Sequence, residues 1–125
     1  MPEPQGGLMR LTEITYSEAQ PIDGYGPGFF RVGGRVMQGA VLVSPWSSQG
    51  WGGLDDTATP LALADRIDVL FVGTGAEIAH LPAGFRRILE EAGIGVEVMN
   101  SPAACRTYNV LLSEGRLIAV ALLPV

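Results

Sequence analysis

Residues 95–123 read GVEVMNSPAACRTYNVLLSEGRLIAVALL. A strand, a helix and a second strand follow one another here. Ile94 to Met99 is rich in β-branched and apolar residues and reads as the first strand. Ser101-Pro102 is a helix start, with a serine cap and proline in the first helical position, where a missing N–H costs nothing. The spacing predicts a helix to about Glu114, with Gly115 just past its end. Leu117 to Leu123 is apolar without alternation, the pattern of a strand covered on both faces. Two strands joined by a helix imply a parallel pair and a crossover.

The same logic extends toward the N-terminus. Leu81-Pro82 opens a helix to about Ala92, with Phe85, Ile88 and Leu89 on one face and Gly93 as its stop. Ile67 to Val72 is a buried strand that ends at Gly73-Thr74-Gly75. Thr57 or Thr59 caps a short helix from Pro60 to about Asp65. Residues 45–56 read as a long loop carrying Trp46 and Trp51. Phe29 to Val32 and Arg35 to Ser44 form a hairpin, because Gly33-Gly34 supplies the positive φ that a two-residue turn needs. Residues 17–28 read as turns, Leu8 to Tyr16 as a strand, and 1–7 as a loose, flexible tail. The result is one α/β domain over 8–125, with a mixed or parallel sheet and helices on its faces.

Composition removes several functions. The chain has 125 residues, 47% apolar and 17% charged, enough for one folded core. Its net charge is −5, and all eight cations are arginine. Without lysine there is no Schiff-base chemistry and no phosphate-loop lysine. Scattered arginines on an acidic chain argue against nucleic acid as a partner. Arg86-Arg87 with Glu90-Glu91 reads as i,i+4 pairing on a solvated helix face. One cysteine and one histidine make neither a zinc site nor an internal disulfide, so no metal and no cofactor is expected. The N-terminus reads as neither a signal peptide nor a presequence. The longest apolar run, Leu117 to Val125, falls short of the ~20 residues of a membrane span. The expected address is the cytoplasm, peripheral to a membrane only through a partner.

The run MNSPAACRTYNVLLSEGR (99–116) closely resembles the signature of a small domain family of bacteria, archaea and mitochondria. GYGPGFFRVGGR (24–35), GAVLVSPW (39–46) and VLFVGTG (69–75) extend the likeness to nearly the whole chain. A mitochondrial member of that family is an assembly factor of respiratory complex I. The resemblance implies a single three-layer α/β domain with a mixed central sheet, helices on its faces and an extra N-terminal β-hairpin. It also implies a non-enzymatic interaction domain whose protein partners belong to membrane-complex assembly. The alternative is a small-molecule or anion-binding protein, conceivably an enzyme, with a pocket at the start of the 101–114 helix.

Candidate ligand residues for that pocket are Gly73, Thr74, Gly75, Asn100, Ser101, Cys105, Arg106 and Asn109. A glycine loop after a buried strand is where doubly wound sheets hold phosphates, although the spacing here is not that of a dinucleotide fingerprint. Cys105, one turn into a helix and beside Arg106, is either a reactive thiol or, on the favoured reading, a small packed residue. Catalysis by it needs a base, and His80 is the sole histidine; no catalytic residue is assigned. Arg106 either holds an anion or locks a carboxylate such as Glu97 or Glu114. Asn109 in mid-helix needs a partner, either a ligand or, preferably, a buried loop carbonyl. Tyr25, Trp46 and Trp51, aromatics among Gly and Pro, are the candidate partner contacts.

Overall fold

The structure is a computed structural model and describes residues 19–125. The tail expected at 1–7 and the strand expected at 8–16 lie outside the described residues. The described chain runs β1 (Ile22–Gly26), β2 (Phe29–Val32), β3 (Arg35–Gln38), β4 (Val41–Val43), β5 (Ser48–Gly50), a 3-10 turn (Gly53–Asp55), α1 (Ala58–Leu61), β6 (Val69–Thr74), α2 (Ala83–Glu91), β7 (Gly95–Met99), α3 (Ser101–Ser113) and β8 (Ile118–Leu123).

Five strands form the central sheet in the order β5-β4-β8-β6-β7. β6 is parallel to both β7 and β8, whereas β4 is antiparallel to β8 and β5, so the sheet is mixed. Its inner strands are apolar at consecutive positions because both faces are covered. Ile118, Val120 and Leu122 of β8 face one core, and Ala119 and Ala121 face the other. Phe71 of β6 faces the first core, while Leu70 and Val72 face the second.

Over the first face lie α3, through Ala104, Cys105 and Tyr108, and a separate three-stranded sheet β1-β2-β3, through Ile22, Phe30 and Val32. Over the second lie α2, through Phe85 and Leu89, and the 51–67 segment, through Trp51, Leu63 and Ile67. The three-layer architecture with its accessory β-layer is therefore present. Ile88 sits at the rim of the α2 face, 38% exposed. The ion pairs Arg86–Glu90 and Arg87–Glu91 occupy the solvated side at i,i+4.

Several boundaries move for physical reasons. The turn-rich stretch 17–28 contains β1, and the expected hairpin gains a third strand. Glycine reads as a breaker, but here Phe29 lies over Gly26 and Arg31 over Gly24, supplying the cover that glycine lacks. The true turn is Pro27-Gly28, with Gly28 at φ +81°. The Gly33-Gly34 turn is as expected, with φ of +57° and +82°. The single strand expected over 35–44 breaks at Gly39 (φ +78°), whose N–H donates to Gly28 O at 2.8 Å. That residue sends the chain from the small sheet to the central one. The 45–56 loop contains β5 and the 3-10 turn. α1 starts earlier than Pro60, because Asp56 accepts from Thr59 N (3.0 Å) and Thr59 Oγ1 (2.6 Å) and organises the turn. Neither threonine caps α1 with its side chain.

Candidate functional site

β6, α2 and β7 build toward one side of β6; β7, α3 and β8 return to its other side. That makes a topological switch point between β6 and β8, and α/β sheets bind ligands beyond the strand ends at such points. In this chain Ser101 occupies the crevice. The residue is fully buried. Its Oγ accepts from Gly75 N at 2.9 Å and donates to Leu123 O at 2.6 Å, joining the ends of the two strands. Ser101 N donates to Gly75 O at 2.8 Å. Gly73 must be glycine here, since a Cβ would stand 2.7 Å from Ser101 Oγ and 2.8 Å from Leu122 Cδ2.

The cap of α3 is Asn100 and not Ser101, because the Ser101 hydroxyl is committed to the strand ends. Asn100 Oδ1 accepts from Ala103 N at 2.8 Å, and Asn100 O from Ala104 N at 3.0 Å. Pro102 has no N–H, so the donors of Ser101, Ala103 and Ala104 at the helix start are all satisfied within the chain. The Thr74 hydroxyl donates to Glu77 O and accepts from Ala79 N, both at 2.9 Å, and so shapes the loop after β6.

Gly73, Thr74, Gly75, Asn100 and Ser101 are thus brought together, as polar elements of one joint. Cys105 lies a turn further along α3, 4% exposed. Burial pushes its thiol up to about 11, against the opposing pull of the Arg106 charge. His80 is exposed while Cys105 is buried. Arg106 is exposed and carries no ion pair among the described residues, with neither Glu97 nor Glu114 paired to it. Asn109 faces the small sheet: it accepts from Ile22 N at 2.9 Å and donates to Ile22 O at 2.8 Å. Its partner is the first residue of β1 and not the loop carbonyl expected, because the 17–28 stretch that reads as turns contains a strand. Tyr108 is fully buried, and its hydroxyl has no hydrogen-bond partner among the described residues. Burial raises its pKa.

The three aromatics separate. Tyr25 on β1 is 46% exposed. Trp46 is half-buried, with the Arg66 guanidinium 4.6 Å from its ring centroid. Trp51 belongs to the second core at 6% exposure, its ring 6.1 Å from that of Phe85 and its Nε1 donating to Asp56 O at 2.9 Å.

A cavity of about 540 Å³ opens where the small sheet meets the β4–β5 edge. Val32, Val43 and Trp46 are among its walls, with Arg35, Ser44 and Ser48 as polar lining. Of these only Trp46 stands out in the sequence. The others come from two stretches, 32–35 and 43–48, and no local spacing signals their meeting. Among the described residues, no three His, Cys, Asp or Glu side chains group as a metal site. No helix among them is long and apolar enough to cross a membrane.

Fold and strand order define an α/β domain of the Mth938-like kind. A Mth938-like domain of Bordetella pertussis superposes with a TM-score of 0.70 at 28% identity, covering 99% of this chain and 92% of that one. A Bartonella henselae protein described as an outer membrane protein gives 0.77 at 37% identity, covering 84% and 94%. The chain belongs to the family described as "Protein of unknown function (DUF498/DUF598)", which matches residues 22–123. An uncharacterised protein of Rhodobacter capsulatus is 50% identical over 116 residues, 93% of this chain and 94% of its own. NADH dehydrogenase (ubiquinone) 1 alpha subcomplex assembly factor 3 is 36% identical in Danio rerio and 32% in Homo sapiens, over 82% and 91% of this chain. The chain spans 63% and 66% of the length of those two proteins.

Proposed function

We propose that this chain is a non-enzymatic interaction domain that assists assembly of a membrane complex through a protein partner. The carrying observation is the 36% identity to an assembly factor over 110 residues. The helix-start geometry supports the same reading. The polar groups that a ligand pocket at 73–75 and 100–101 would use are spent on joining β6, β8 and α3. The buried thiol of Cys105 and the exposed imidazole of His80 make a poor nucleophile–base pair. Partner contact is assigned to the exposed Tyr25 and the half-buried Trp46; Trp51, buried in the second core, is withdrawn from it.

The test is affinity purification of the full chain from the cell that makes it, with identification of the retained proteins. Subunits of a respiratory or other membrane complex are the expected catch. Trp46→Ala or Tyr25→Ala should lower their retention about tenfold, the scale of an aromatic hot spot, with little change in thermal midpoint. Retention of no membrane-complex subunit above an unrelated bait overturns the proposal.

A further inference from the structure

The cavity between the small sheet and the β4–β5 edge is separate from the helix-start joint. We infer that it is a binding site for a small organic carboxylate with an apolar body, anchored by Arg35.

Its volume of about 540 Å³ falls within the range of small-molecule sites. It lies where the small sheet meets the β4–β5 edge of the central one. The walls divide the ligand chemistry in two. The half-buried Trp46 offers apolar surface over the buried Val32, Val43 and Pro45, and the exposed Arg35 offers charge. The Arg35 guanidinium donates one hydrogen bond to Ser48 Oγ at 3.1 Å, which holds it across from β3 to β5. Its remaining N–H donors are left in the planar fork that suits a carboxylate.

The charge pattern points the same way. Arg31, Arg86 and Arg87 are each paired with a carboxylate of the chain. Arg35, like Arg66, Arg106 and Arg116, has no carboxylate partner among the described residues, and of these four it is the one that lines the cavity. The 44–48 turn that lines the cavity is built rather than adaptable. Ser44 N donates to Ser47 O at 2.8 Å, and Ser44 Oγ accepts from Trp46 N and Ser47 N at 3.3 and 3.2 Å. Ser44 is itself buried. This turn fixes Trp46 at the cavity, and Arg66 at 4.6 Å braces the indole. A pre-organised wall and one anchored cation are what a small anion needs for binding without a large ordering cost.

The full chain, isotopically labelled, should be titrated with octanoate, benzoate, benzyl alcohol and inorganic phosphate while its amide resonances are followed. Octanoate or benzoate should shift the amides of Arg35, Val43, Ser44, Trp46 and Ser48 saturably. Arg35→Gln should weaken that binding about tenfold, the worth of a charge-assisted contact, and leave distant resonances in place. If that variant fails to fold, Ser48→Ala, which releases the guanidinium, should weaken binding several-fold. The inference is overturned by no saturable shift up to about 10 mM carboxylate, by equal binding of benzyl alcohol, or by tighter binding of inorganic phosphate. Unchanged affinity in the variant that folds overturns it as well.

Discussion

The side-chain amide of Asn109 pairs with the backbone of Ile22 as a neighbouring strand would, accepting from its N–H at 2.9 Å and donating to its carbonyl at 2.8 Å. One residue of α3 thereby closes the rim of the small sheet across 87 positions of sequence. The small sheet and the central layers are tied through this contact as well as through their shared apolar core.

Asn109→Ala should therefore cost about 1–3 kcal/mol, since it strips both partners from a partly buried backbone unit. Asn109→Asp should cost as much or more at neutral pH, because a carboxylate cannot donate to Ile22 O. Urea denaturation of the two variants checks this. Equal stability of wild type and both variants would show the pair to be incidental.

The Ser101 joint makes a sharper prediction. Ser101→Ala leaves Gly75 N–H and Leu123 C=O without their partner and should cost about 1–3 kcal/mol. Gly73→Ala should also destabilise by about 1–3 kcal/mol, through overpacking against Ser101 and Leu122. The double variant should lose less than the sum, because the added methyl then meets no hydroxyl. A double-mutant cycle by thermal or chemical denaturation measures the coupling.

Cys105 and Tyr108 set the alkaline limit. The thiol rises from its ordinary 9.0 to about 11 by burial, and the phenol of Tyr108 is raised in the same way. Both groups are neutral in the native state, so their contribution is complete below about pH 9 and declines as pH rises toward 11. The thiol accounts for on the order of 2 kcal/mol of that loss. The absence of lysine keeps this range free of ammonium titration. Cys105→Ala should flatten the stability curve between pH 9 and 11. In the native wild type the thiol should resist a disulfide reagent at pH 8 and react fully in denaturant.

Asp56 sets an acid-side effect. Its carboxylate accepts from the Thr59 hydroxyl first, then from the N–H groups of Thr59 and Gly52, and these bonds lower its pKa. The stabilisation is present above the ordinary carboxylate value of 3.8 and is lost as pH falls through the lower, folded value. Asp56→Ala should cost about 1 kcal/mol at neutral pH, the usual worth of a helix-capping carboxylate. It should also loosen Trp51, whose Nε1 bonds to the Asp56 carbonyl, and Trp fluorescence should report that change.

Some of this was readable in the chain itself. The strand, helix and strand of 95–123 emerge from local pattern, because a segment buried on both faces must be apolar throughout and a helix must announce its ends. The Gly33-Gly34 turn is equally local. Gly24 and Gly26 misled, since their place in a strand depends on Phe29 and Arg31 lying over them. The cap of α3 shifted from Ser101 to Asn100 for a similar reason: the serine had a distant competitor in Leu123 O. Asn109 was legible as a residue in need of a backbone partner, but not which backbone.

Composition and periodicity, taken alone, determined an acidic, lysine-free α/β chain with a buried sheet and the order of its elements from β6 onward, because burial and helix termination are written within a few residues. Only the tertiary structure decided what each polar side chain is for. Ser101 became a joint, Asn109 a surrogate strand and Arg35 the anchor of a cavity, since each partner lies on another segment and the pairing exists only once the layers have closed.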